Sequence, residues 1–280
     1  MTEPRSWLFV PADSERKVEK ALASEADAII FDLEDSVAPA QKAAAREILK
    51  NLPSRSGGPQ WWVRINPIGS EFHKDDLQVI GVGDIHGIVL PKAESGADVT
   101  RLAHRTGSIP IHAIVTETAA SLFGLLSYSD PKSPLAAMSW GAEDLSAALG
   151  ASSKYDPDGQ LSFTYKLARS LCLAGAVAAG VQPVDGVFAD FRDEDGLRSE
   201  AEAARREGFT GKLAIHPAQV SLINAAFTPS DDDVSHAEKI VAAFEAHPDA
   251  GVLSVGGKMV DRPHLVQARR VLERAVKQQG

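Results

Sequence analysis

A single cysteine, Cys172, stands among 280 residues, so no internal disulfide can form. That usage points to a reducing cytoplasm. Cys172 lies in the apolar helical stretch ARSLCLAGAVAAG and is read as a small core residue. No apolar run reaches the roughly 20 residues that a membrane-crossing helix needs. The opening MTEPRSWLFVPADSER has no apolar segment behind a charged start, so no signal peptide is expected. Basic clusters interleaved with aromatics are missing, and a formal net charge of −9 gives nucleic acid no electrostatic hold. No G-x-G-x-x-G follows the first apolar run, which weighs against a dinucleotide fold. Internal repeats and low-complexity segments are also lacking.

What is present is an alternation. Short apolar runs predict strands at SWLFVP (6–11), AIIFDLE (28–34), WWVRIN (61–66), GIVLPK (87–92), IHAIVT (111–116), AAMSWG (136–141), GVFADF (186–191) and LAIHP (213–217). Amphipathic stretches between them predict helices, among them 14–25, 39–52 and 198–208, the last ending on Gly208. Strands separated by helices run parallel, and near-continuous apolar character suits strands covered on both faces. The fold class expected is therefore α/β, a (β/α)₈ TIM barrel with a C-terminal helical extension; an open doubly wound sheet is the alternative. Domain organisation is expected as a barrel over 1–227 and an extension over 228–280. The polar segment 152–166 interrupts the rhythm and reads as a lid or a subunit contact. In the extension, a glycine-rich loop around 256–257 precedes the last helix.

In such a barrel the reactive face is the one formed by the C-terminal strand ends. Polar residues crowd the corresponding positions here: Asp32, Glu34 and Asp35, then Arg64, Lys92, Glu117, Glu143 with Asp144, and His216. Ions gathered at a shared, partly desolvated mouth need a compensating role. Glu117 and Asp144 follow adjacent strands, and two close carboxylates repel unless a cation lies between them. Hard oxygen donors favour Mg²⁺, so both are predicted metal ligands, with Glu34 and Asp35 holding the metal's waters. Arg64 offers a planar fork matched to a substrate carboxylate. The set suggests a small keto or hydroxy acid polarised by a metal. A plainer role competes at each position: first-turn acids at a helix N-terminus for Glu117 and Asp144, a solvated loop for 32–35, an ion-pair partner for Arg64, and rim polarity for His216.

The segments RSWLFVPADSERKVEKAL, AIIFDLEDSV, VRIN, GIVLPK, ETA at 117–119, GAEDL, AIHPAQ and KMVDRPHLVQAR occur in this order. Together they resemble the citrate lyase β-subunit-like family of acyl-CoA lyases, which includes malyl-CoA and citramalyl-CoA lyases. The likeness runs from about residue 5 to about residue 272. It implies a Mg²⁺-dependent lyase that cleaves or forms a 3-hydroxyacyl-CoA thioester, giving acetyl-CoA and a 2-oxo acid such as glyoxylate or pyruvate. It also implies a cytoplasmic homo-oligomer, a trimer or hexamer. By the same resemblance, Glu117 and Asp144 hold the metal, and Arg64 and Glu117 contact the keto acid. Phe9, Arg16 and Lys20 meet coenzyme A, and Ile215 and His216 line its thioester arm. Asp261 acts as a catalytic acid–base delivered from a neighbouring subunit, alongside Arg64, Glu34 and Asp35. One position departs from the family pattern: Ala12 stands where a glycine is usual. The retained Asp261 segment implies free CoA thioesters rather than an acyl carrier protein. Three rivals stay open: a malyl-CoA thioesterase, an aldolase acting on free 2-oxo acids or a citryl thioester, and a non-catalytic binding subunit.

Overall fold

The computed structural model describes residues 3–54, 57–81 and 83–279. Eight parallel strands close into a barrel in sequential order. They are β1 (Ser6–Pro11), β2 (Ala28–Asp32), β3 (Gln60–Arg64), β4 (Ile85–Leu90), β5 (Ile111–Ile114), β6 (Leu135–Ser139), β7 (Gln182–Asp185) and β8 (Gly211–Ala214). The intervening helices are α1 (Glu15–Leu22), α2 (Lys42–Lys50), the single-turn α3 (His73–Asp76), α4 (Gly96–Thr106), the short α5 (Ser121–Gly124), α6 (Ala142–Leu149), α7 (Phe163–Ala179) and α8 (Glu194–Glu207). After β8 comes α9 (Val220–Phe227).

Strand alternation decides what fills the barrel. Trp7, Ala28, Ile30, Trp62, Val89, Ile114, Ala137, Val184 and Leu213 form one interior cluster to which every strand contributes. Because side chains alternate with a period of two, Phe9, Asp32 and Arg64, each two residues beyond an interior residue, project inward at the C-terminal mouth. His112 lies deeper. Its ring packs edge-on against Trp7 at 4.6 Å, and its Nε2 meets Ser139 Oγ at 2.9 Å. Burial pushes His112 down to about 3, so it is a neutral packing group.

The seventh strand differs from the sequence expectation. GVFADF (186–191) is a loop, and the strand is the preceding QPVD. All four residues of QPVD are buried. Its polar ends are satisfied by tertiary partners, Gln182 by Pro4 O and Asp185 by a charge network, which a pattern of apolar runs does not anticipate.

The chain divides into two compact units, one over Glu3–Asn224 and a smaller one from Ala225 onward. The smaller unit holds α10 (Asp231–Ala246), β9 (Val252–Val255), β10 (Lys258–Asp261) and α11 (Arg262–Gln279). Ser230 and Asp233 cap α10 reciprocally. Ala237, Ile240, Phe244, Val260, Leu265 and Ala268 form its core. The expected glycine-rich loop is a hairpin turn between β9 and β10. Gly256 and Gly257 have φ of 60° and 79°, the left-handed pair that a two-residue hairpin turn requires. Among the described residues, no helix is long and apolar enough to cross a membrane.

Candidate active site

The β2 end and the loop beyond it provide three acids. Asp32 is 1% exposed and its carboxylate accepts the backbone N–H groups of Glu34 (2.9 Å) and Ser36 (3.1 Å), which curls the loop back over the mouth. From β3, Arg64 meets Asp32 as a two-pronged fork, Nε to Oδ1 at 2.7 Å and Nη2 to Oδ2 at 2.6 Å. Arg64 Nη1 lies 3.0 Å from Glu34 Oε2, and the guanidinium rests 4.7 Å above the Phe9 ring. Burial alone would raise Asp32, but the Arg64 charge and fork hold it below the usual carboxylate range. Glu34, 2% exposed, is raised by burial in spite of Arg64 and Lys92. Arg64 was expected to face a substrate carboxylate with its full fork. Two of its nitrogens pair with Asp32 and Nη1 lies against Glu34, so all three already face acids.

β5 and β6 carry the acids expected to hold a metal. Gly141 N–H donates to the buried Thr116 Oγ1 at 3.2 Å, which ties the two strand ends together. Glu117 then lies directly on Gly141. A Cβ built at that glycine would come within 2.8 Å of Glu117 Cγ, so the absence of a side chain there leaves the space that Glu117 occupies. Glu117 is 4% exposed. Burial pushes its carboxyl up to about 8, with the Glu34 and Asp144 charges adding to the rise and the Lys92 N–H opposing it. Asp144 sits in the first turn of α6 beside Glu143, which pairs outward with Lys154.

Lys92 joins these acids. Among the described non-glycine residues only Lys92 has a positive φ, 52°, a conformation that costs an L-residue about 1–2 kcal/mol. Its backbone N–H donates to Glu117 Oε2 at 2.5 Å. Its Nζ lies 2.5 Å from Glu34 Oε1, 3.2 Å from Asp35 Oδ2 and 3.3 Å from Asp144 Oδ1. Burial would lower the ammonium's pKa, but Glu34, Glu117 and Asp144 together raise it. The sequence marks Lys92 as a polar strand end; its backbone conformation, which sets this geometry, has no signature there, because glycine usually fills such positions.

Among the described residues, no three His, Cys, Asp or Glu side chains converge into a ready-made metal cage. The donors nevertheless suit a hard cation. Glu117 is buried with its carboxyl raised by desolvation and by the Glu34 and Asp144 charges, and the Lys92 ammonium lies 3.3 Å from Asp144, so positive charge already gathers at this pair. Mg²⁺ takes one or two protein carboxylates and fills its other positions with water or substrate oxygens.

The other expected site residues are distributed as follows. Arg16 and Lys20 are exposed on α1, one turn apart. Ile215 is 42% exposed, and His216 stacks on Phe191 at 4.5 Å with 24° between the rings. The apolar pattern of 186–191 predicts a strand and gives no sign that Phe191 stacks on His216 from a loop. Asp261 belongs to the smaller unit, at the end of β10, where its Oδ1 is 2.5 Å from His264 Nδ1. Ala12, at the position noted for glycine, is fully buried and donates its N–H to Asp32 O at 3.1 Å.

The closed parallel barrel with a charged cluster at its C-terminal mouth defines the class: a (β/α)₈ barrel whose strand ends carry a set of acids with an arginine and a lysine among them. Comparison with known proteins narrows it. The sequence profile of the HpcH/HpaI aldolase/citrate lyase family matches residues 5–217, and that of C–C bond lyases of the TIM-barrel fold matches residues 163–277. The chain belongs to the HpcH/HpaI aldolase/citrate lyase family and is a carbon–carbon lyase by that membership. It is 38% identical over 275 residues to a (3S)-malyl-CoA thioesterase of Cereibacter sphaeroides, covering 97% of this chain and 94% of that protein. It is 32% identical over 291 residues to the mitochondrial citramalyl-CoA lyase of Rattus norvegicus, covering 96% and 85%. Among solved structures it resembles the protein CitE of Mycobacterium tuberculosis in complex with magnesium, acetoacetate and coenzyme A. That match has a TM-score of 0.84 and 37% identity over 97% of this chain and 98% of that one.

Proposed function

We propose that this chain is a Mg²⁺-dependent CoA-ester lyase that joins or separates acetyl-CoA and a small 2-oxo acid such as glyoxylate or pyruvate. The observation that carries the reading is the buried Glu117 carboxyl, raised by burial and by the nearby Glu34 and Asp144 charges, with the two predicted metal ligands following adjacent strands. Mg²⁺ held by Glu117 and Asp144 would supply Lewis acidity to the hydroxyl and carboxylate oxygens of the acid.

The chain's own residues do the rest. Arg64, held in place by Asp32, Glu34 and the Phe9 ring, lends its charge to the substrate carboxylate. Glu34 and Asp35 order water around the cation. Arg16 and Lys20 take the phosphates of coenzyme A, while Ile215 and His216, braced by Phe191, flank the thioester arm. In cleavage, a base takes the proton of the substrate hydroxyl, that oxygen becomes the carbonyl of the released 2-oxo acid, and the electron pair of the broken carbon–carbon bond passes into the acetyl-CoA enolate. Protonation at carbon then releases acetyl-CoA. In condensation, Asp261 removes the proton from the acetyl methyl group. Asp261 is delivered to the mouth from a neighbouring copy, so the active species is a homo-oligomer, and the enzyme works in the cytoplasm.

The test is to incubate the pure protein with Mg²⁺, acetyl-CoA and a panel of 2-oxo acids and to read the products by mass. A 3-hydroxyacyl-CoA product that disappears with EDTA is expected; failure with every acid tried, in both directions, overturns the lyase reading. A second reading, hydrolysis of malyl-CoA, is favoured by the 38% identical thioesterase. It differs in product: malate and free coenzyme A, with neither glyoxylate nor acetyl-CoA.

A further inference from the structure

We propose that Lys92 is a resident counter-cation that competes with the divalent ion for Asp144, and so sets how tightly this protein binds metal. The inference rests on the metal assignment to Glu117 and Asp144 made above. One residue touches four acids drawn from three different strand ends. The Lys92 N–H meets Glu117, while Nζ meets Glu34, Asp35 and Asp144.

These contacts are unequal. The ammonium is closest to Glu34, at 2.5 Å, and Glu34 is also 3.0 Å from Arg64. Glu34 thus has two cations already and little to offer a third. Asp144 is the most distant of the three, at 3.3 Å, and is a third exposed on its side chain. A divalent ion entering between Glu117 and Asp144 therefore has one ammonium contact to displace, that to Asp144. Nζ keeps Glu34 and Asp35 as partners. The left-handed backbone at Lys92 serves both ends of this arrangement. It turns the N–H toward Glu117 and the side chain toward the β2 loop. Without metal, the ammonium offsets the repulsion among the acids. With metal, the same ammonium remains close to a dication and opposes it, since like charges a few ångströms apart at a partly buried site repel strongly.

The backbone donor to Glu117 survives any substitution other than proline, so changing the side chain isolates the effect of the charge. The experiment uses the full chain without CoA or keto acid. Binding of Mn²⁺, a hard-oxygen probe, is followed by the EPR signal of free Mn²⁺, and thermal melts are recorded in EDTA and in saturating Mg²⁺. Lys92→Met keeps the aliphatic stem and removes the charge. It is expected to bind Mn²⁺ about tenfold more tightly than wild type. Its melt is expected to fall in EDTA and to recover in Mg²⁺, so that the metal-induced rise is larger than in wild type. Lys92→Arg, which keeps the charge, is expected to retain the wild-type metal response. Should Lys92→Met fail to fold even with Mg²⁺ present, Lys92→Gln takes its place with the same expectation.

Equal Mn²⁺ affinity in wild type and Lys92→Met, or an equal drop of both melts, would make Lys92 a structural strut and overturn the proposal. Weaker Mn²⁺ binding in the variant would overturn it in the opposite direction, making Lys92 an aid to the metal. If wild type itself bound no Mn²⁺, the metal assignment would fall. That outcome is distinguishable from binding that is merely indifferent to Lys92.

Discussion

Glu117 holds its place because of what its neighbours lack. Gly141 carries no side chain, and a methyl group there would meet Glu117 Cγ at 2.8 Å. Gly141→Ala is therefore expected to push the carboxylate out of register and weaken Mn²⁺ binding about tenfold, roughly 1.4 kcal/mol, while circular dichroism stays native. Unchanged binding would mean that Glu117 relaxes freely. The larger substitutions act on the proposed metal ligands themselves. Glu117→Ala and Asp144→Ala should each abolish Mg²⁺-dependent turnover and metal-induced stabilisation with the fold intact, and full activity in either would refute the assignment. Some of this was legible residue by residue. Asp32 and Arg64 each stand two positions beyond an apolar interior residue, so alternation alone turns both toward the mouth. Their mutual fork was not legible, because it requires two strands in register, Asp32 opposite Arg64.

At the level of elements, β7 is held by charge as well as by apolar packing. Asp185 is 1% exposed, and its oxygens accept from Trp140 Nε1 (2.8 Å), Arg169 Nε (2.8 Å) and Lys212 Nζ (2.9 Å). Lys212, fully buried on β8, also donates to Glu200 Oε1 at 2.7 Å and Gly186 O at 2.8 Å. The network thus links β7 and β8 to α7 and α8. Burial by itself would raise Asp185, but Lys212 and Arg169 bring it down to about 2 from an ordinary 3.8. A lowered folded-state value means that this carboxylate's contribution is present above the unfolded value and is lost as pH falls. Asp185→Asn is expected to destabilise by about 3 kcal/mol in urea at neutral pH, because the buried Lys212 charge loses one of its two carboxylate partners and Arg169 loses the same one. The difference from wild type should shrink as pH is lowered from about 4 toward 2. A difference that stays constant over that range would show that the charge on Asp185 is not the cause. This is also where the sequence reading of a strand failed, since an ion-paired strand does not look apolar.

At the scale of the whole molecule, the proposed role of Asp261 depends on assembly. It lies on the smaller unit, paired with His264, and the proposed mechanism brings it to the mouth of a neighbouring copy. Complementation tests that arrangement. Glu117→Ala and Asp261→Ala, each inactive alone, are mixed after reversible dissociation. Because half of the mouths and half of the donated acids are intact, random assortment restores about a quarter of the sites if they are shared between subunits. No recovery in a demonstrably mixed oligomer would place Asp261 in its own chain's site or outside the chemistry.

The alternation of short apolar runs with amphipathic helices already determined parallel strands, since helical crossovers bring consecutive strands back in the same direction; that the eight strands close into a barrel rather than an open sheet was decided by the tertiary structure. The order of the acids along the chain likewise determined which strand ends bear charge. Tertiary structure alone decided how those charges pair: Arg64 on Asp32, Lys92 among four acids, and Glu117 seated on a glycine from the next strand. Such pairings depend on distances between residues far apart in sequence and on one backbone angle at Lys92, and neither leaves a trace in residue type or spacing.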